Sequence, residues 1–471
     1  MAFRAKSRNL NKMKRIIYIL AICAFGLTSC TKYLDIKPYG EVIPKTADEF
    51  SSLLNSILED IDYGEEIIIG NGDLAVEIEC YSDNLEANLT IYPSGNFMPL
   101  YIGSHLSNKQ NLYSSLYEVI RDCNIVIDNL EERDTRLGKD VLGTAYALRG
   151  ICYYNLLRNF SEPAVNNMQG LGLPLVTSFD MEARPKRSTI AQTFAQAESD
   201  FKTAIAYNIE DEIYRFNSDN LSAFLARLYF WVGDWNNAMT MARTVLNKYP
   251  LINGASYTEM MTSKLAAKGN MLLKGMILSE SSSNNSYNGA LNSLNSRPVS
   301  KRFIDLFPEK ERDIRYSMSF SKKRFNQKDG FGCVRSAEMQ LILAESLYHS
   351  DDVTGALNAL NELRRNRIEN YEAYTMETLP EVNSNEFIKV DVYGEQLTPL
   401  LNAILNERRK ELYMEGDRWY ELKRNGRPEF WVAKDGWKYT TRSYMYTFPI
   451  EISDVELVPG MIQNPGYDKV K

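Results

Sequence analysis

Histidine is nearly absent: His105 and His349 are the only two in 471 residues, and they stand far apart. No HExxH pattern, no CxxC pair and no Cys/His cluster occurs, which leaves nothing with the ligand spacing of a zinc site. A nucleophile elbow and a recognisable triad order are missing too. Beyond the N-terminus there is no extended basic block, and the formal net charge is -7, so nucleic acid is not an expected ligand. Past the first thirty residues there is no apolar run long enough to span a bilayer. The chain carries 61 acidic residues. Paired carboxylates suffice for glycoside cleavage, but so many candidates single out none. The expectation is a protein with no cofactor, no metal and no catalytic residue.

What is present is ample apolar material: 44% of the residues, against 24% charged. That supports a large core, and the chain is long for one compact domain. The first thirty residues read as an address. Lys12, Lys14 and Arg15 form a basic flank, Ile16 to Leu27 is a short apolar run, and Leu27-Thr28-Ser29-Cys30 closes it. This resembles a bacterial lipobox, which would make residues 1–29 a signal peptide and Cys30 the lipidated first residue of the mature chain. Met13-Lys14-Arg15 also opens a complete signal. Of the cysteines after Cys30, Cys123 and Cys152 fall inside helical apolar patterns. Buried free thiols are therefore expected for Cys80, Cys123, Cys152 and Cys333, although an oxidising compartment would permit pairing.

Periodicity predicts mainly helix. Thr46 to Asp60 reads as a helix, with Thr46 and Glu49 at capping-box spacing. Asn111–Glu132 and Lys139–Phe160 read as an antiparallel pair, and a helix capped by Ser188 or Thr189 runs to about Tyr207. In Ser218 to Pro250, the residues Leu225, Ala226, Tyr229, Gly233, Ala238 and Pro250 reproduce tetratricopeptide spacing. Ala337 to Ile368 gives a looser copy, with His349 at its turn, read as solvated. Stacked hairpins of this kind usually bind rather than catalyse. Ile61–Ser107, Leu251–Arg335 and Tyr371–Thr398 read as irregular, Ser279–Ser296 being a polar Ser/Asn run. Trp431–Phe448 reads as an aromatic hairpin.

Leu401 to Gly426 carries the densest signal. Positions 401, 405, 408, 412, 415, 419 and 422 form one helical stripe, apolar except for Arg408 and Glu415. Both charges therefore face inward, unless Gly416 ends the helix first. Inward charges need partners. Two readings stand: a structural polar network, with Arg335 or Glu338 as partners, and a catalytic Arg/Glu pair.

With the lipobox and Tyr33-Leu34-Asp35, several motifs fall in a telling order. They are Arg149 with Tyr153-Tyr154-Asn155-Leu156, Gly172-Leu173-Pro174-Leu175-Val176, Arg335-Ser336-Ala337-Glu338, Asn406-Glu407-Arg408-Arg409-Lys410-Glu411-Leu412, Gly416-Asp417-Arg418-Trp419-Tyr420 and Gln463-Asn464-Pro465-Gly466-Tyr467. In order and spacing the chain resembles the SusD/RagB family of Bacteroidetes outer-membrane lipoproteins, nearly end to end. The resemblance implies a mainly α SusD-like fold: tetratricopeptide-like helical hairpins as scaffold, long irregular loops and a few short strands. It implies a single domain over 30–471, with an N-terminal portion of about 30–210 and a C-terminal portion of about 211–471.

It also implies non-catalytic binding of an oligosaccharide or polysaccharide, and delivery to a SusC-like TonB-dependent transporter. The place implied is the outer membrane, with the chain anchored through Cys30 and facing the exterior. A peptide-binding role of the RagB type, a glycoside hydrolase and a purely structural surface protein are the alternatives. The family's ligand residues lie in variable loops, so residue chemistry must nominate them here. Aromatic faces suit sugar rings, and amides and charges suit hydroxyls. The candidates are Tyr81, Asp83, Asn84, Tyr92, Asn96, Phe97 and Tyr101; Asn284, Asn285, Tyr287 and Asn288; and Trp437 with Tyr439.

Overall fold

Helix starts follow the caps read from the sequence. Glu49 Oε2 accepts from the Thr46 amide at 3.1 Å where the Ala47–Tyr63 helix begins. Thr189 and Gln192 close a capping box on Ile190–Tyr207. Such caps satisfy first-turn amides that have no partner within the helix. The structure is a computed structural model. It describes residues 44–63, 68, 72–86, 102–106, 109–180, 182–263, 269–275, 285–434 and 437–467. The description below concerns the compact unit that starts at Lys45. Cys30 and the address segment lie outside the described residues. Among the described residues, no helix is long and apolar enough to cross a membrane.

The central helix of the N-terminal half is Arg136–Phe160, buried along most of its 25 residues. Lys109–Asn129, Ile190–Tyr207 and Ala47–Tyr63 pack around it. Arg149 locks three of these helices. It reaches Asp200 with two hydrogen bonds of 2.6 and 2.9 Å and donates to Asn124 Oδ1 at 2.7 Å. All four of Cys80, Cys123, Cys152 and Cys333 are free and buried, as expected.

The first tetratricopeptide-like pair is Ser218–Val232 and Trp235–Lys248, and the second is Ser336–His349 and Val353–Arg365. Gly233 turns the first pair at φ 80°, a left-handed conformation that glycine adopts at no steric cost. In the second pair, Asp351 takes that conformation at φ 64°. Trp235–Lys248 packs on Ser336–His349. His349 is not solvated. It stacks on Trp235 with ring centroids 4.6 Å apart, and its side chain is only 4% exposed.

The irregular stretches are more ordered than their composition suggests. Gly72–Tyr81 is a helix inside the first of them, and Asn285–Asn295 is a helix across most of the Ser/Asn run. The two pack on each other. Their joint core holds Val76, Cys80, Leu85, Tyr287, Leu294, Phe303 and Tyr413. The described strands are short antiparallel pairs: Leu171–Pro174 with Arg187–Thr189, Met271–Lys274 with Cys333–Arg335, and Phe430–Lys434 with Trp437–Thr441. The last of these is the aromatic hairpin read from the sequence.

Candidate functional site

The chain's deepest charges gather on Pro399–Glu411 and the turn that follows it. The helix ends at Glu411, and Met414 and Gly416 take φ values of 64° and 70° before Arg418–Arg424 resumes. The proposed stripe is therefore two helices and a turn, yet both of its charges still face inward. Arg408 grips Asp417 at 2.5 and 2.8 Å, with Glu338 at 4.0 Å. Glu415 is held by Arg335 at 2.8 Å and Lys328 at 2.7 Å. The two pair with separate partners, so they do not form an Arg/Glu dyad.

Glu411, fully buried, takes Arg335 at 2.6 Å, Arg367 at 2.9 Å and Arg315 at 3.2 Å. Burial favours its neutral form, but Arg367, Arg335 and Arg315 outweigh that and hold the carboxyl well below its usual range. Glu407 is likewise held down at about 2: burial opposes ionisation, and Lys410, Arg315 and Arg364 overcome it. These matched ions clamp distant segments of the chain together. Their chemistry is cohesion.

Two further arginines, Arg409 and Arg418, claim Asp83 and Asn84, which the sequence nominated for ligand contact, and packing buries Tyr81 and Tyr287 as well. Tyr81, Asp83 and Asn84 are buried at 1, 2 and 0% exposure. Asp83 meets Arg418 at 2.7 Å and Arg409 at 3.2 Å. Asn84 Oδ1 accepts from Arg409 at 2.6 Å. Tyr287 is buried in the core it shares with Cys80, and its hydroxyl accepts from the Gly330 amide at 3.2 Å. These four occupy the interior where open loop positions were expected. Each has its own physical reason: Tyr287 is turned inward by the packing of Asn285–Asn295 on Gly72–Tyr81, Tyr81 meets Trp419 edge-on in the main core, and Asp83 and Asn84 are drawn in by Arg409 and Arg418.

Asn288 is exposed, and Asn285 opens its helix. Tyr439 is half-buried, opposite Val432 in the hairpin, and packs on the main core. Trp437 pairs with Lys434 across the same hairpin. Tyr92, Asn96, Phe97, Tyr101 and Asn284 lie outside the described residues. The structure thus brings the first two nominated segments together and sets the hairpin near the first of them.

Between residues 82–86 and the hairpin lies a groove of about 400 Å³. Its lining includes Glu86, Lys301, Arg302, Phe387, Phe430 and Trp431. One wall is tied by backbone hydrogen bonds from Ser300 N to Asn84 O at 2.7 Å and from Glu86 N to Pro298 O at 2.8 Å. The other is the hairpin. Residue alternation puts Phe430 and Val432 on its buried face and leaves Trp431 outward, 45% exposed.

Phe387 stacks on Phe430 with centroids 5.1 Å apart, and the Arg302 guanidinium lies 4.0 Å from the centre of the Phe387 ring. Arg409 links this groove to the ionic core: it binds Glu386, next to Phe387, at 2.8 Å, and Asp83 and Asn84 on the opposite wall. The groove is open and combines flat aromatic surface with fixed polar groups, features shared with small-molecule sites.

Residues 226–467 match the model of the SusD family, and residues 32–230 match a family described as starch-binding, associating with the outer membrane. The chain belongs to the SusD family. A SusD superfamily protein from Bacteroides thetaiotaomicron superposes with a TM-score of 0.67 at 21% identity, over 89% of this chain and 100% of its own. A SusD-like carbohydrate-binding protein from Bacteroides vulgatus gives 0.64 at 19%, over 89% and 98%. A laminarin-binding SusD-like protein gives 0.59 at 17%, over 90% and 100%. These matches share the helical fold that the sequence motifs implied. Among curated proteins the comparison finds no match.

Sequence reading of this SusD-family chain missed Trp431, Phe387, Lys301 and Arg302. Trp431 carried a usable signal, because alternation along the hairpin puts it on the face opposite Phe430. Arg302 and Phe387 carried none, since their meeting depends on segments far apart in the chain.

Proposed function

We propose that this SusD-family chain binds a carbohydrate at the cell surface without altering it, and hands it to a SusC-like TonB-dependent transporter. The observation that carries the reading is the outward, half-exposed Trp431 beside the stacked Phe387–Phe430 pair in an open groove. Aromatic faces take the C–H surface of sugar rings at low entropic cost. The carboxylates at hand are committed: Asp83 to two arginines, and Glu86 to Arg324 at 3.0 Å. That arrangement favours holding a ligand over acid–base chemistry on it. Anchoring through Cys30 would keep the groove at the outer membrane, and family membership supports that placement.

The test is calorimetric titration of the full-length lipoprotein, in mild detergent, with a panel of oligosaccharides and peptides. At least one glycan is expected to bind and to be recovered intact. Trp431→Ala is expected to weaken it by about 2 kcal/mol, roughly thirtyfold. Unchanged affinity in that variant would remove the groove from the binding site. Recovery of the protein from native membranes with no barrel partner would count against delivery to a transporter.

A further inference from the structure

Arg302 lines the groove as a cation without a carboxylate partner among the described residues. Its guanidinium carbon lies over Phe387, 4.0 Å from the ring centre, yet no carboxylate among the described residues lies within ion-pair distance of it. Its Nε is buried and makes no hydrogen bond with a described residue. A guanidinium donor left without an acceptor is unfavourable. The nearest acidic groups are already matched. Asp83 feels the charge of Arg302 but is clamped by Arg409 and Arg418. Glu86 accepts from Arg324 and from the Lys301 amide.

Two more cations stand close by. The Lys301 side chain is exposed in the groove lining, and Lys438 Nζ lies 5.1 Å from the centre of the Trp431 ring. Neither forms an ion pair with a described residue. Three cations with no ion pair among the described residues, set around an aromatic wall, contrast with a chain whose net charge is -7. A surface lysine alone is unremarkable. A guanidinium packed over an aromatic ring differs from it, since its planar fork of N–H groups matches carboxylate or sulfate oxygens.

We propose that the groove takes an acidic glycan, its carboxylate or sulfate held by Arg302 while a neighbouring ring lies on Trp431. This rests on the carbohydrate-binding reading above and narrows its ligand class. Lys301 and Lys438 raise the local concentration of polyanion and make the interaction dependent on salt.

The experiment titrates the full-length protein, in mild detergent, with oligogalacturonate, alginate oligomers and chondroitin sulfate fragments. Each is paired with its neutral counterpart, methyl-esterified or desulfated. At least one acid is expected to bind about tenfold or more tighter than its neutral partner, a gap of about 1.4 kcal/mol. Arg302→Gln is expected to close that gap, Arg302→Lys to retain part of it, and Trp431→Ala to weaken acidic and neutral forms alike. Carboxylate or sulfate as the bound group follows from which pair shows the gap.

Equal binding of acid and neutral forms would overturn this inference and leave the carbohydrate reading standing. A gap that survives in a folded Arg302→Gln would overturn the assignment to Arg302. Binding of no glycan at all would overturn both readings. Should Arg302→Gln fail to fold, the acid–neutral comparison in the wild-type protein decides the ligand class by itself.

Discussion

Two adjacent arginines separate cohesion from function. Arg408 ties Asp417 to the end of its own helix, while Arg409 joins Asp83 and Asn84 on one groove wall to Glu386 on the other. Removing one partner of a buried ion pair costs about 3–5 kcal/mol, because the remaining charge is left uncompensated. Arg408→Met is therefore expected to lower the melting temperature and leave glycan affinity nearly unchanged in the folded fraction. Arg409→Met is expected to lower both. Equal ligand affinity in the two variants would break the link between the ionic core and the groove.

Glu421 supplies a pH signature. Burial pushes its carboxyl up to about 7, since Arg418 is already shared with Asp83 and Asp417 adds like charge. Its unfolded value is the ordinary 4.5, so the folded state binds the proton more tightly. The stabilisation is complete below the unfolded value and is lost as pH rises through the folded one. Glu421→Gln should then flatten the decline in melting temperature between those two values. A wild-type decline that persists in the variant would assign it elsewhere.

At the scale of elements, the two tetratricopeptide-like pairs meet where His349 stacks on Trp235. Burial lowers the pKa of His349 below 6.5; Glu345 and Asp391 favour its charged form, Arg424 opposes it, and burial prevails. The sign is opposite to that of Glu421: the unfolded chain takes the proton first, so stability is lost as pH falls below the unfolded value. His349→Phe keeps an aromatic stack and should remove that acid-side loss, read as a shallower fall in melting temperature below pH 6.5. An unchanged slope would mean that the hairpin contact tolerates the charge.

These hairpins were legible because caps, small residues and a 3.6-residue period all agreed. Gly72–Tyr81 and Asn285–Asn295 were not. One is short and follows glycines, and the other is built of Ser and Asn, whose weak helix propensity is overridden once Tyr287 and Leu294 are buried. Asp83 and Asn84 show the same limit inside the site: a carboxylate and an amide look alike in sequence whether they meet a sugar or an arginine.

For the whole molecule, two family models meet at residues 226–230, inside the Ser218–Val232 helix. That helix packs on Ile190–Tyr207 on the N-terminal side and on Trp235–Lys248 and Ser336–His349 on the C-terminal side. Arg227 reaches forward to bind Glu338 at 2.5 and 2.8 Å, while Tyr229 donates back to Glu198 at 2.6 Å. The C-terminal ionic core also depends on residues from the N-terminal half: Asp83 and Asn84 serve Arg409 and Arg418, and Tyr420 donates to Asn159 at 2.8 Å. A chain cut near residue 230 would leave these buried charges without partners on both sides. We therefore expect residues 45–467 to unfold as one cooperative unit, with no boundary near residue 230. Thermal unfolding of the full chain, followed by far-ultraviolet circular dichroism and by tryptophan fluorescence, should give coincident transitions. Separately expressed halves should lack fixed tertiary packing and bind no glycan. Two resolved transitions, or a C-terminal half that melts cooperatively alone, would divide the chain into two domains at the helix that now joins them.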